Sequence, residues 1–151
     1  MELRVLHSLI ESAKTVYPSS LPMQALVVCQ AIHESGFAQS KGGSQLALRH
    51  NNLFGIKELK SRPGQVVMMP TWEVINGKTI QVKAGFATFS DFEDCFRQHA
   101  IMMSWPRYKN VLESETASEA FTRIQRSGWA TNPKYSIRLQ EVYDQYVKGN
   151  L

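Results

Sequence analysis

Leu21-Pro22-Met23-Gln24-Ala25-Leu26-Val27-Val28-Cys29-Gln30-Ala31-Ile32-His33-Glu34 is the stretch that decides the fold. Read at 3.6 residues per turn it leaves almost no polar face, which predicts a helix buried on all sides over residues 21–34. Ser19 and Ser20 stand ready as N-caps, and Gly36 can take the left-handed conformation that ends a helix. Upstream, Leu3, Leu6, Leu9, Ile10, Ala13, Val16 and Tyr17 recur at three- and four-residue intervals, so residues 2–17 form an amphipathic helix stopped by Pro18.

Downstream, residues 36–64 turn to Gly, Ser, Asn and Lys and read as a loop around one apolar knot, Asn52-Leu53-Phe54-Gly55-Ile56. Val66–Met69, Thr71–Ile75 and Thr79–Val82 are β-prone. Asn76-Gly77 between the last two is a hairpin turn signal. Ser90-Asp91-Phe92-Glu93 reads as a capping box for a helix ending near Pro106, and Thr116-Ala117-Ser118-Glu119 opens another that closes at Gly128. Asn132-Pro133 caps a last helix with Ile137, Leu139, Val142, Tyr143 and Tyr146 on its buried side. The expectation is one mainly helical α+β domain over residues 1–151 with a β-hairpin lobe at about 64–89.

The chain has 151 residues, 43% hydrophobic and 20% charged, with a formal charge of +4. That is enough for one core without staples. The dispersed basic residues suit either plain solubility or an acidic polymer such as nucleic acid or bacterial cell wall. No run reaches the roughly 18 apolar residues of a membrane span. The start, MELRVLHSLIESAK, has acids and a helical period where a signal peptide has an apolar run. The sequence therefore predicts a soluble protein made in the cytoplasm, without membrane insertion, that needs another route if it acts outside.

Cys29 and Cys95 each precede a histidine, His33 and His99, by four positions. Two such pairs can supply four metal ligands, but they lack the tight Cys-x2-Cys or His-x3-His element usual in zinc sites. A disulfide and two buried thiols are the other readings, and no metal is assigned.

Glu34 ends the most apolar helix. Partial burial and the negative end of the helix dipole both disfavour its carboxylate there, so it can keep a proton to higher pH, as a general acid for glycosidic oxygen requires. A Glu turned out to solvent is the alternative. Glu73 on the hairpin faces away from Trp72 and Val74. It is either a second carboxylate across a cleft, acting as base or stabiliser, or a solvated strand residue; its distance from the acid would set the stereochemistry. Trp72, Phe86, Trp105, Trp129 and Tyr135 are candidate sugar platforms, with Trp129 and Tyr135 favoured because they flank the polar loop Ala130–Pro133.

Taken together these positions resemble glycoside hydrolase family 73, the peptidoglycan β-N-acetylglucosaminidases. Ala31-Ile32-His33-Glu34-Ser35-Gly36-Phe37 is similar to the family's catalytic helix end, and Asn51-Asn52-Leu53-Phe54-Gly55-Ile56-Lys57 to its Asn-Leu-Phe-Gly-Ile-Lys signature. Thr71-Trp72-Glu73 with Asn76-Gly77-Lys78 resembles its hairpin. Pro106-Arg107-Tyr108 resembles its Asn-Pro-Arg-Tyr element, and Gly128-Trp129-Ala130-Thr131-Asn132-Pro133-Lys134-Tyr135 its Gly-Tyr-Ala-Thr-Asp-Pro-Asn-Tyr, with Trp129 in place of the usual Tyr.

The resemblance implies a lysozyme-like fold, cleavage of the glycan strand after N-acetylglucosamine without a cofactor, and Glu34 as the acid. It implies Glu73 as base or stabiliser, or else a substrate acetamido group in its place. Tyr135, Trp129, Asn52, Phe54 and Trp72 are the implied substrate-binding residues. Peptidoglycan is then the partner rather than nucleic acid. Expected roles are a phage lysin or an injected antibacterial effector acting in the periplasm or wall, the latter with an immunity protein that blocks the cleft. A lytic transglycosylase or muramidase, and a silent wall-binding module, are the rival functions.

Overall fold

The computed structural model describes all 151 residues. Its first helix, α1 (Leu3–Val16), buries Leu9, Ile10 and Ala13, and ends one residue before Tyr17 as Pro18 requires. Ser20 then accepts the Met23 amide hydrogen at 3.2 Å and starts α2 (Leu21–Ser35), which Gly36 closes with a φ of 76°. Met23, Ala25–Cys29, Ala31 and Ile32 are all 1% exposed or less. Each large side chain buried this way contributes about 1.5–3 kcal/mol, so α2 is the axis on which the molecule is assembled. Helices pack around it: α1 on one side, α6 (Ala117–Arg126) and α7 (Tyr135–Val142) on others, while α4 (Phe92–Met103) lies against α1. The last helix runs on into one wide turn over Tyr143–Val147.

Residues 36–64 are not all loop. Ser44 accepts the Ala47 amide hydrogen at 3.1 Å and caps α3 (Gln45–His50), a six-residue helix closed by Asn51 in the left-handed region. One buried side chain, Ala47, gives too short a period to show in the sequence. A second unforeseen helical stretch, a single turn at Pro106–Tyr108 leading into α5 (Lys109–Leu112), is equally short. The cap of α4 is Asp91 rather than Ser90. Its carboxylate accepts from Asp94 N at 2.7 Å, and the Asp94 carboxylate accepts from Ser90 N at 3.0 Å, so the reciprocal box is displaced by one residue. The last helix begins at Tyr135, because Asn132 Oδ1 accepts from Lys134 N and caps a preceding turn instead.

The two strands are longer than their sequence signals: β1 (Val66–Ile75) continues through Pro70 and pairs antiparallel with β2 (Lys78–Ala87). Proline is tolerated because a two-stranded ribbon is all edge. Asn76 and Gly77 both have positive φ, 50° and 76°, as a type I′ turn demands. The ribbon is tied to the body at its base, where Glu58 N donates to Gly85 O at 2.9 Å and Ala87 N to Ile56 O at 3.0 Å. Its outer half, residues 72–81, is exposed. Cys29 and Cys95 are buried free thiols, and His99 bonds to Tyr17 and Gln30, so the histidine beside Cys95 is engaged within the core.

Candidate active site

The end of α2 places Glu34 between two hollows. One, of about 330 Å³, is walled by Phe54, Ile56, Leu59, Met102, Tyr108 and Trp129. The other, of about 270 Å³, is polar and runs past Ser35, Gln39, Lys41 and Ser44. A groove therefore crosses the protein with Glu34 at its middle.

Two donors hold the Glu34 carboxyl. Trp129 Nε1–H reaches both oxygens, at 3.1 and 3.2 Å, and Tyr135 Oη–H donates to Oε2 at 2.9 Å. The carboxyl is open to the groove yet crowded by protein on its other sides. That crowding raises its pKa from 4.5 to about 7, against the hydrogen bonds from Trp129 and Tyr135, which pull it down.

Behind Tyr135 runs a buried polar chain. Gln30 Nε2 donates to Tyr135 Oη at 3.1 Å, Gln30 Oε1 faces His99 Nε2 at 2.7 Å, and His99 Nδ1 faces Tyr17 Oη at 2.8 Å. An amide oxygen only accepts, so His99 carries its hydrogen on Nε2 and Nδ1 accepts from Tyr17. Each link donates toward Glu34, and the chain leaves Tyr135 one role, that of donor to the carboxyl. Burial keeps His99 neutral, its pKa lowered to about 3, so no competing charge sits behind the acid.

The sequence-predicted site residues separate into those that meet Glu34 and those that do not. Trp129 does, and its ring also contacts Phe54 and Tyr108, at centroid distances of 6.1 and 5.9 Å, to build the apolar wall. Tyr135 does, but at 2% exposure it is no sugar platform; it acts on the carboxyl. Asn52 does not reach the groove. It is 1% exposed, with Nδ2 donating to Ile56 O and Ala87 O, both at 2.8 Å, and Oδ1 accepting from Ile56 N at 3.0 Å. It fastens the Phe54–Lys57 loop to the hairpin and leaves no polar atom for a substrate.

Glu73 pairs with Lys57 at 3.6 Å, and Lys57 is among the residues lining the apolar hollow. Trp72, its neighbour in the strand, points from the opposite face of the ribbon and is 66% exposed. Sequence reasoning missed Glu58, a carboxylate that lines the same hollow as Glu34. Its side chain lies over Gly85, where an added Cβ would come within 3.0 Å of Oε2. The signal was a glycine inside a strand, which marks a close approach.

A family model described as mannosyl-glycoprotein endo-β-N-acetylglucosaminidase, the glucosaminidase family, matches residues 12–148. The chain belongs to the glucosaminidase family. It is 35% identical over 145 residues to the exo-glucosaminidase LytG of Bacillus subtilis (strain 168), a match covering 92% of this chain and 49% of LytG. The chain thus spans about half the length of that relative.

Among solved structures, the catalytic domain of the autolysin Auto from Listeria monocytogenes superposes with a TM-score of 0.81 at 25% identity, covering 95% of this chain and 82% of that one. The C-terminally truncated glycoside hydrolase domain of FlgJ from Salmonella typhimurium gives 0.71 at 29% identity, covering 94% and 95%. The fold is accordingly the family's lysozyme-like α+β fold. In it the motif around Glu34 forms the C-terminal end of α2, and the Asn51–Lys57 signature forms the wall beside it.

Proposed function

We propose that this glucosaminidase-family chain hydrolyses peptidoglycan, cutting the glycan strand after N-acetylglucosamine with Glu34 as general acid. The observation that carries the reading is the Glu34 carboxyl itself. It stands mid-groove, is aimed by Trp129 and Tyr135, and has a pKa raised to about 7, so it holds a transferable proton near neutrality. In the reaction the proton passes from Glu34 to the glycosidic oxygen, the bond from that oxygen to the anomeric carbon breaks, and water completes the hydrolysis. Glu73 is the assigned base or stabiliser, and Glu58, nearer the acid's own hollow, is the second carboxylate to be tested in that role.

The names exo-glucosaminidase, for LytG, and peptidoglycan hydrolase, for FlgJ of Salmonella typhimurium, belong to the relatives and support the substrate class here. A groove open on both sides of Glu34 favours internal over terminal cleavage. Use as a phage lysin or an injected antibacterial effector belongs to this reading. An effector implies an immunity protein that covers Glu34 and Glu73, and full lytic activity in the presence of every neighbour-encoded protein would exclude that role.

The test is digestion of purified peptidoglycan by the wild type and by Glu34→Gln, with mass spectrometry of the fragments. Reducing N-acetylglucosamine ends from the wild type, with almost none from the variant, are expected. Anhydro-muramic ends would make the protein a lytic transglycosylase, reducing muramic ends a muramidase, and no fragments at all a wall-binding module.

A further inference from the structure

A third hollow, of about 510 Å³, opens beside the catalytic groove and has no apolar side chain in its wall. Arg107, Arg123 and Arg126 line it with Asn110, Glu113 and Ser127. Two of the guanidiniums are held in place by the chain. Arg107 donates to Ser127 O through Nε at 3.1 Å and Nη2 at 2.8 Å, and Arg123 donates to Asn110 O at 2.8 Å while pairing with Glu119 at 2.7 Å. The guanidinium of Arg126 is exposed and engaged by no hydrogen bond or ion pair. Favourable interaction with the helix C-terminus explains Arg123 and Arg126, which lie on the last turn of α6. Arg107 reaches the same helix end from the turn after α4 by donating to the Ser127 and Gly128 carbonyls that follow α6, so all three guanidiniums gather at one helix C-terminus. Glu119 offsets the charge of Arg123, which leaves Arg107 and Arg126 as the cations that face the hollow without an ion-pair partner.

The hollow is joined to the groove through the backbone. Arg107 precedes Tyr108, its guanidinium lies 5.2 Å from the Tyr108 ring, and Tyr108 is part of the apolar wall. Ser127 and Gly128, whose carbonyls Arg107 holds, lead directly into Trp129, the donor to Glu34. The hollow and the apolar wall are thus built from neighbouring residues of the same two segments, Arg107–Tyr108 and Ser127–Trp129.

We propose that this hollow binds the carboxylates of the peptide stem carried by the glycan strand; the inference rests on the peptidoglycan reading above. Paired guanidinium donors suit carboxylates. Glu113, unpaired in the same wall, argues against a phosphodiester polymer, which offers it nothing but repulsion, and suits a peptide that presents a free amine along with its carboxylates. The stem then fixes the register of the sugars over Glu34, and stem-bearing strands are cut in preference to bare ones.

The test compares the wild type, Arg126→Glu and Arg126→Gln on soluble glycan strands bearing their peptide stems and on the same strands stripped of stems by an amidase. For the wild type, kcat/KM about ten-fold higher on stem-bearing strands is expected, chiefly through KM, as for one or two charge-assisted hydrogen bonds. Both variants bring that ratio toward one, and the Gln variant guards against any effect of the reversed charge on α6. Equal rates of the wild type on the two strands, or a ratio that survives both variants, overturns the proposal. If the wild type cuts neither strand, the hydrolase reading has failed instead. Calorimetry of the free stem peptide against the wild type and Arg126→Gln then decides the site, and equal or absent binding to the two proteins overturns it.

Discussion

Glu34 accepts two hydrogen bonds that favour its ionised form and still holds its proton to about pH 7, so poor solvation outweighs both donors. The balance makes the pH profile a readout of each donor. Removing the Tyr135 hydroxyl takes away a bond that stabilises the carboxylate, and the Glu34 pKa must rise further. For Tyr135→Phe we expect the alkaline limb of the activity profile to move up in pH, while kcat falls roughly 10- to 100-fold because the acid is no longer aimed. A fall in kcat with an unmoved limb would show that the hydroxyl does not act through Glu34. Sequence reasoning found Tyr135 but gave it the wrong task, because an aromatic beside a polar loop reads as a platform when its burial is unknown. Gln30 drew no notice in the sequence, and His99 did so only as a possible metal ligand beside Cys95. Each lies within an apolar helical pattern, and only the packing of α2 against its neighbours brings them into line behind the acid.

At the scale of elements, the groove depends on one loop held between helix and ribbon. Asn52 provides that hold with three short hydrogen bonds to Ile56 and Ala87. A substitution there leaves the buried Ile56 amide hydrogen without its acceptor and takes a donor from Ala87 O, while Ile56 O keeps the Ala87 amide; each group left unpaired costs about 1–3 kcal/mol. Asn52→Ala is expected to lose about 2–4 kcal/mol in urea unfolding, with activity falling because the Phe54–Lys57 wall moves. A substrate-binding Asn52 would instead raise KM at unchanged stability. The helices around α2 were legible because periodicity, caps and the Asn-Gly turn each name an element by local chemistry. The pieces that escaped were α3, α5 and the strand continuing past Pro70, all of them short or contrary to propensity and held by tertiary partners. The motif at Asn52 showed that the position mattered; a hydrogen-bond inventory was needed to show that it serves the fold.

For the whole molecule, the groups of this site oppose one another in their effect on stability. His99 has a folded pKa of about 3, below its ordinary 6.5, because burial excludes the charged form. The unfolded chain binds that proton more readily, so stability is complete above about pH 6.5 and is lost as pH falls toward 3. His33, lowered by burial and by Arg138, acts in the same direction. Glu34 is raised from 4.5 to about 7, so here the folded state binds the proton more readily and stability declines as pH rises between those values. One proton is worth at most about 1.4 kcal/mol per pH unit, and Glu34 falls short of that because its groove side is open to water. Between pH 4.5 and 6.5 Glu34 offsets part of the histidine slope, so the wild type should gain stability with pH only gradually there. Glu34→Gln removes that offset. Urea midpoints of that variant are expected to climb more steeply with pH across the same interval, while its advantage over the wild type grows and is fully developed above pH 7. Parallel pH dependences for the two proteins would mean that Glu34 does not hold its proton above the ordinary carboxyl range, and the assignment of Glu34 as the acid would lose its physical basis.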